Sequence, residues 1–194
     1  MDDGFITVVS GLPRSGTSMM MKMLEAGGMP VLVDHIRTAD EDNPKGYFEF
    51  ERVKQIETEQ SWLADAGGKA VKMVAALLKH LPTNYRYRII FMQRNIEEVL
   101  ASQRQMLIRR GEPTDELSDD KMAGMFAKHV DKIQAWLAQQ HNMQVLYVQY
   151  GDVMARPAEH AARINGFLGN FLDVASMEAT VDKRLYRQRR GAGR

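Results

Sequence analysis

Gly11 and Gly16 enclose Leu12-Pro13-Arg14-Ser15 and are followed at once by Thr17-Ser18. This is the spacing of a phosphate loop, in which backbone N–H groups at the start of a helix converge on an anion. Arg14 adds a guanidinium inside the loop, and Ser15, Thr17 and Ser18 add three hydroxyls. A loop built for a triphosphate and its magnesium carries lysine after the second glycine, with Ser or Thr next. Thr17 stands at that lysine position and the cation has moved to Arg14. The pattern therefore predicts a nucleotide with a different charge distribution and no obligatory metal. Glycine spacing alone also marks ordinary turns, and hydroxyls opening a helix also serve as caps.

Such a loop works only between a buried strand and a helix. Residues 5–10, Phe-Ile-Thr-Val-Val-Ser, are β-branched and nearly all apolar, as a central parallel strand would be. Residues 17–26 read as a helix that stops at Gly27-Gly28, with Met19, Met20, Met21 and Met23 as core packing. Further on, residues 29–34 read as a short strand, 35–46 as a polar loop, 47–66 as a helix and 70–74 as a strand. A short helix over 75–81 should end at Pro82. The strand at 87–92 runs into Gln93-Arg94-Asn95 and a helix from Ile96 to about Arg110. A helix over 122–137, a strand over 145–148 and a helix over 158–168 complete the alternation. The fold class predicted is α/β: a three-layer α/β/α, P-loop nucleoside-triphosphate-hydrolase-like domain with a mostly parallel central sheet.

With 194 residues the chain suits one domain over 1–194, with 183–194 as a basic tail containing Lys183, Arg184, Arg187, Arg189, Arg190 and Arg194. Apolar residues make up 44% and charged residues 26%, a globular balance. The formal net charge of +1 supplies no general basic field, which argues against nucleic acid as a partner. The absence of cysteine excludes thiol catalysis, disulfides and cysteine-ligated zinc. Met1-Asp2-Asp3-Gly4 lacks a basic n-region and no apolar run spans a bilayer, so the expectation is a cytoplasmic protein without a membrane partner.

Pro13-Arg14-Ser15-Gly16-Thr17 after an apolar strand resembles the 5′-phosphosulfate loop of the sulfotransferase family, which uses 3′-phosphoadenosine 5′-phosphosulfate (PAPS) as donor. That family also places an Arg at a strand end and, eight positions on, a Ser, both contacting the donor's 3′-phosphate. Arg94 and Ser102 satisfy that spacing. The pairing is physically sensible, because Arg94 offers a planar fork and Ser102 a neutral donor about two turns into a helix. Tyr150-Gly151-Asp152-Val153, with Pro157 and Phe167-Leu168-Gly169 behind it, is similar to the family's Tyr-Glu-Asp-Leu segment, although Gly151 replaces the usual Glu. The resemblance makes Tyr150 a contact near the adenine. Arg189-Arg190-Gly191 is similar to a C-terminal segment that wraps the 3′-phosphate in cytosolic members.

The resemblance implies sulfo transfer to a hydroxyl or amine, with Arg14 stabilising charge on the leaving phosphate and with no metal required. A general base is then needed. The candidates are Glu49, in Asn43-Pro44-Lys45-Gly46-Tyr47-Phe48-Glu49, and His35; the alternative reading of Glu49 is an acid at a helix N-terminus. Lys72 in the strand at 70–74 is near enough in principle to reach the sulfo group, whereas His80, His129, His141 and His160 read as helix-surface residues. The acceptor, whether small molecule, carbohydrate or peptide, is not encoded in any motif. The chain is short for the family, which leaves the acceptor pocket reduced or completed by a second copy in a homodimer. Two rivals stay open: a P-loop kinase of small molecules or nucleotides, and a non-catalytic nucleotide-binding module.

Overall fold

The structure is a computed structural model that describes residues 4–34, 36, 46–114, 118–182 and 184. Four strands, β1 (Phe5–Gly11), β2 (Ala70–Val74), β3 (Arg86–Gln93) and β4 (Met143–Gln149), form one sheet in the order β2-β1-β3-β4. Every pairing is parallel, with Val8 opposite Val71 and Ile89, and Ile89 opposite Val145. Successive residues of a strand point to opposite faces, so Val8 and Val9, like Ile89 and Ile90, feed two separate cores. That two-sided burial explains why β1 reads as an unbroken apolar run.

One face of the sheet is covered by α1 (Thr17–Ala26), α4 (Tyr150–Ala155), α5 (Pro157–Leu168) and α6 (Val174–Ala179), with Met20, Met21, Met23 and Leu24 packed among them. The other carries three 3₁₀ turns, at Glu51–Gln55, Ser61–Asp65 and Ala75–His80, and the C-terminal end of α3 (Asp119–Leu137). The remaining helix, α2 (Ile96–Arg110), follows β3; Asn95 caps it by accepting from the Glu97 and Glu98 amides at 2.9 and 3.4 Å. The result is the three-layer architecture expected from the alternation of elements. No helix among the described residues is long and apolar enough to cross a membrane.

Three expectations need correction. Residues 29–34 contribute a single bridge, Val31 to Ala70, rather than a strand. Residues 47–66 do not form one helix: Phe48 has φ of 52°, and two 3₁₀ turns follow. The apolar spacing there is real, since Val53, Ile56, Trp62, Leu63 and Ala66 are all buried. Continuity is broken where the Glu59 carboxylate accepts from the Ser61 amide and hydroxyl at 2.9 and 2.6 Å, a local bond that competes with the helical ladder. Finally, His160 is not on a surface. It is 5% exposed, because α5 packs against both α4 and α6.

Candidate functional site

All four strands point the same way, so their carboxyl ends share one edge, the usual place for a ligand in such sheets. β1 delivers the glycine loop to that edge. A Cβ on Gly11 would lie 2.6 Å from both the Met92 carbonyl oxygen and Ser15 Oγ, so only glycine passes there. Arg14 has φ of 68° and Gly16 has φ of 98°, and the Ser15 amide closes the turn on the Leu12 carbonyl at 3.2 Å. Gly16 is the N-cap of α1 and offers no side chain, leaving the first-turn amides without an intrahelical acceptor at the positive end of the helix. Ser15 is 1% exposed and its hydroxyl has no hydrogen-bond partner among the described residues. An uncapped helix start, an orphaned buried hydroxyl and a cation in the same turn together fit a bound phosphate. Thr17 and Ser18, both half-buried, complete the first turn.

β3 and α2 bring a second set of residues to this loop. Ser102 is buried, and its hydroxyl accepts from Arg14 Nε at 3.0 Å. Arg94 donates from Nη1 to the Arg14 carbonyl at 3.1 Å and from Nε to Glu98 Oε2 at 3.0 Å. Its guanidinium carbon lies 4.6 Å from the centre of the Tyr150 ring. That ring also fills the space beside Gly16, where a Cβ would meet it at 2.4 Å. Arg94 and Ser102 thus converge on Arg14, one at its carbonyl and the other at its side chain. The Tyr150 ring lies against the loop and the guanidinium, in the position of a support.

A third set stands beside α1. The Lys72 ammonium donates to the Tyr47 carbonyl and lies 3.4 Å from Ser18 Oγ and 3.7 Å from Glu49 Oε1. Ser18 Oγ donates to the same carbonyl at 3.2 Å, which ties this cluster to the phosphate loop. Glu49 lies in chain outside any helix or strand and is not a helix acid; Glu51 is the acid that opens the following 3₁₀ turn. Asp34 fixes this stretch from the other side. Its amide donates to the Glu49 carbonyl at 3.1 Å, and its carboxylate accepts from the Glu51 and Ile36 amides at 2.5 and 3.1 Å. Burial raises the Asp34 carboxyl, but these amide bonds and the Lys54 charge outweigh it and hold the group below its ordinary value.

His35, Asn43, Pro44, Lys45, Arg189, Arg190 and Gly191 lie outside the described residues. Glu98 belongs to none of the motifs described above, and Lys72 stands out there only as a polar residue in a strand. A signal existed for each: Glu98 stands four residues after Arg94, the spacing of a helical ion pair. Lys72 is the one polar residue of β2, and an amine in a sheet needs a partner.

The sulfotransferase domain family matches residues 6–192. Comparison with curated protein sequences finds no match. Among solved structures, mouse sulfotransferase SULT7A1 complexed with PAP has a TM-score of 0.51 at 15% identity, over 96% of this chain and 64% of that one. The sulfotransferase domain from the curacin biosynthetic pathway has 0.52 at 15%, over 97% and 93%. Retinol dehydratase, in complex with androsterone and inactive cofactor PAP, has 0.52 at 18%, over 96% and 65%. The chain therefore spans just under two thirds of the length of the first and third of these proteins and most of the second. At such identities the likeness is one of fold, the P-loop three-layer fold predicted above. Because the family match runs over nearly the whole chain and takes in every described element of the site, the chain belongs to the sulfotransferase domain family.

Proposed function

We propose that this chain moves a sulfo group from PAPS to a hydroxyl or amine of an acceptor, as a single domain over residues 1–194 and in the cytoplasm. One observation carries the reading: Arg94 and Ser102, placed by β3 and α2, both bond to Arg14 of the loop after β1, so the residues suited to two phosphates form one connected wall. The solved relatives named with PAP support the same donor. When bound, the donor supplies the sulfo group and departs as 3′-phosphoadenosine 5′-phosphate.

In this reading the amides of Ser15 to Ser18 and the Ser15 hydroxyl hold the 5′-phosphate, and the α1 dipole favours its charge. Arg14 places a guanidinium where negative charge grows on the leaving group. Arg94 and Ser102 serve the 3′-phosphate side, with Arg189, Arg190 and Gly191 as further contacts. Tyr150 supports Gly16 and Arg94. Glu49 takes the acceptor's proton, with His35 as the alternative base, and Lys72 sets an ammonium between Glu49 and Ser18. The acceptor is a small molecule, carbohydrate or peptide, and a second copy of the chain is a candidate partner for completing its pocket.

The test has two parts. 3′-Phosphoadenosine 5′-phosphate should raise the melting temperature without magnesium; greater stabilisation by magnesium-ATP would transfer the site to a kinase. Transfer of labelled sulfate to a panel of acceptors should then fall about 10²- to 10³-fold in Arg14→Ala, the usual loss when one charge-stabilising donor is removed. Nucleotide binding with no transfer to any acceptor would leave a binding module.

A further inference from the structure

Glu98 and Arg94 sit deeper than a pair that merely meets a ligand at a surface: their side chains are 7% and 8% exposed. Around Arg94 the protein places a carboxylate oxygen of Glu98 at 3.0 Å, the carbonyl of Arg14 at 3.1 Å and the ring of Tyr150 at 4.6 Å. Two of these neighbours belong to the phosphate loop or prop it. Arg14 is the loop residue in the left-handed region, which a side chain adopts only when its surroundings hold it there. The Tyr150 ring backs Gly16, the other left-handed residue of the turn. Glu98 and Ser102 are four apart on α2 and share a face. Through that face α2 reaches the loop twice, at the Arg14 side chain by Ser102 and at the Arg14 carbonyl by the Glu98–Arg94 pair.

We infer that Glu98 is a positioning residue, and that Glu98, Arg94 and Tyr150 form a strut that holds the phosphate loop in its anion-binding shape. The inference rests on the donor reading only for the choice of nucleotide probe. Its consequence is that affinity for the 5′-phosphate end of a nucleotide depends on residues outside the loop. Electrostatics makes the point decisive, because Glu98 is a negative charge beside an anion site. If charge alone mattered, Glu98→Gln would tighten phosphate binding. The strut requires the opposite.

The experiment is calorimetric titration of the full chain and of Glu98→Gln, Arg94→Lys and Tyr150→Leu. The probes are adenosine 5′-monophosphate, which has no 3′-phosphate, and 3′-phosphoadenosine 5′-phosphate. All three substitutions should weaken the monophosphate roughly tenfold, the loss expected when a charge-assisted bond, at Glu98 and Arg94, or a cation–π contact, at Tyr150, stops holding its partner. In turnover the donor KM should rise while the acceptor KM stays fixed. Unchanged or tighter monophosphate binding by folded Glu98→Gln, with only the bisphosphate affected in Arg94→Lys, would overturn the strut and leave Arg94 a 3′-phosphate ligand. Should Glu98→Gln not fold, Arg94→Lys and Tyr150→Leu decide the same question. Hydrogen exchange at the amides of residues 14–18 in the ligand-free protein is the control: the strut predicts faster exchange in the variants, and unaltered exchange overturns it. That readout stands even if the wild type binds neither nucleotide, an outcome that would remove the donor reading instead.

Discussion

The two halves of the site are built from different materials. On the phosphate side, every described residue is delivered by a regular element or the turn next to it: β1 and α1 carry Gly11 to Ser18, β3 and α2 carry Arg94, Glu98 and Ser102, and α4 begins with Tyr150. Ser15, Ser102 and Tyr150 are all buried, and contacts cross between elements far apart in the chain. On the Glu49 side, a lysine from β2 meets an irregular stretch around Phe48, itself at positive φ, which Asp34 pins through backbone bonds. A group common to every turnover can be read by fixed secondary structure. A partner that differs between relatives is better met by irregular chain on the same scaffold, where substitution costs little stability.

The sharpest way to break this contrast is at Gly16. A methyl there would enter the Tyr150 ring at 2.4 Å while the backbone stays at φ of 98°. Gly16→Ala should cost about 2 kcal/mol in a denaturant melt, the range for overpacking and left-handed strain. With the amides of the first turn displaced, binding of 3′-phosphoadenosine 5′-phosphate should fall about 100-fold, a matter for calorimetry. Near-normal affinity would mean that the loop is not the anchor.

Next in size is Glu49, the base proposed above. Glu49→Gln should lower kcat about 100-fold while the dissociation constant of the bisphosphate stays within about twofold, since Glu49 lies 3.7 Å from the Lys72 ammonium, which in turn stands 3.4 Å from Ser18 of the phosphate loop. An equal drop in nucleotide affinity would merge the two halves into one. A drop in kcat seen with His35→Asn and absent with Glu49→Gln would move the base to His35.

What was legible in the sequence follows the same division. The starts and ends of α1 and α2 could be read because Gly16, Gly27, Asn95 and Gly111 are local punctuation. The loop and the Arg94–Ser102 spacing were also plain, being short motifs on long, strongly patterned elements. That Ser102 bonds to Arg14, 88 residues away, was not, because a parallel crossover sets such contacts and no local pattern records them. Residues 47–66 misled, since buried Val53, Ile56, Trp62 and Leu63 have helix-like spacing while Glu59 diverts the backbone. The short α6 was missed although Asp173 caps it, accepting from the Ala175 and Ser176 amides at 3.0 and 3.3 Å. Six residues give too little periodicity to separate a helix from a turn.

The smallest expected effect is at Asp34, and it tests whether the Glu49 side is held by charge or only by shape. Its carboxylate accepts two backbone N–H bonds, and an amide in its place would keep one acceptor oxygen and turn an NH₂ toward an N–H donor. Asp34→Asn should therefore be less stable by under about 1 kcal/mol, small because the carboxylate is only partly buried. The sign of its pH dependence is fixed by the lowered carboxyl: the folded state binds its proton less readily than the unfolded chain. The contribution is thus complete above the ordinary carboxyl value and is lost as pH falls through the lower, folded one. Denaturant melts should show a constant gap between wild type and Asp34→Asn from about pH 5 to 8, closing under strongly acidic conditions where Asp34 is protonated in both states. A gap that persists in acid would mean that shape alone holds this stretch. Because the Asp34 amide still bonds to the Glu49 carbonyl in the variant, the acceptor KM should move more than kcat.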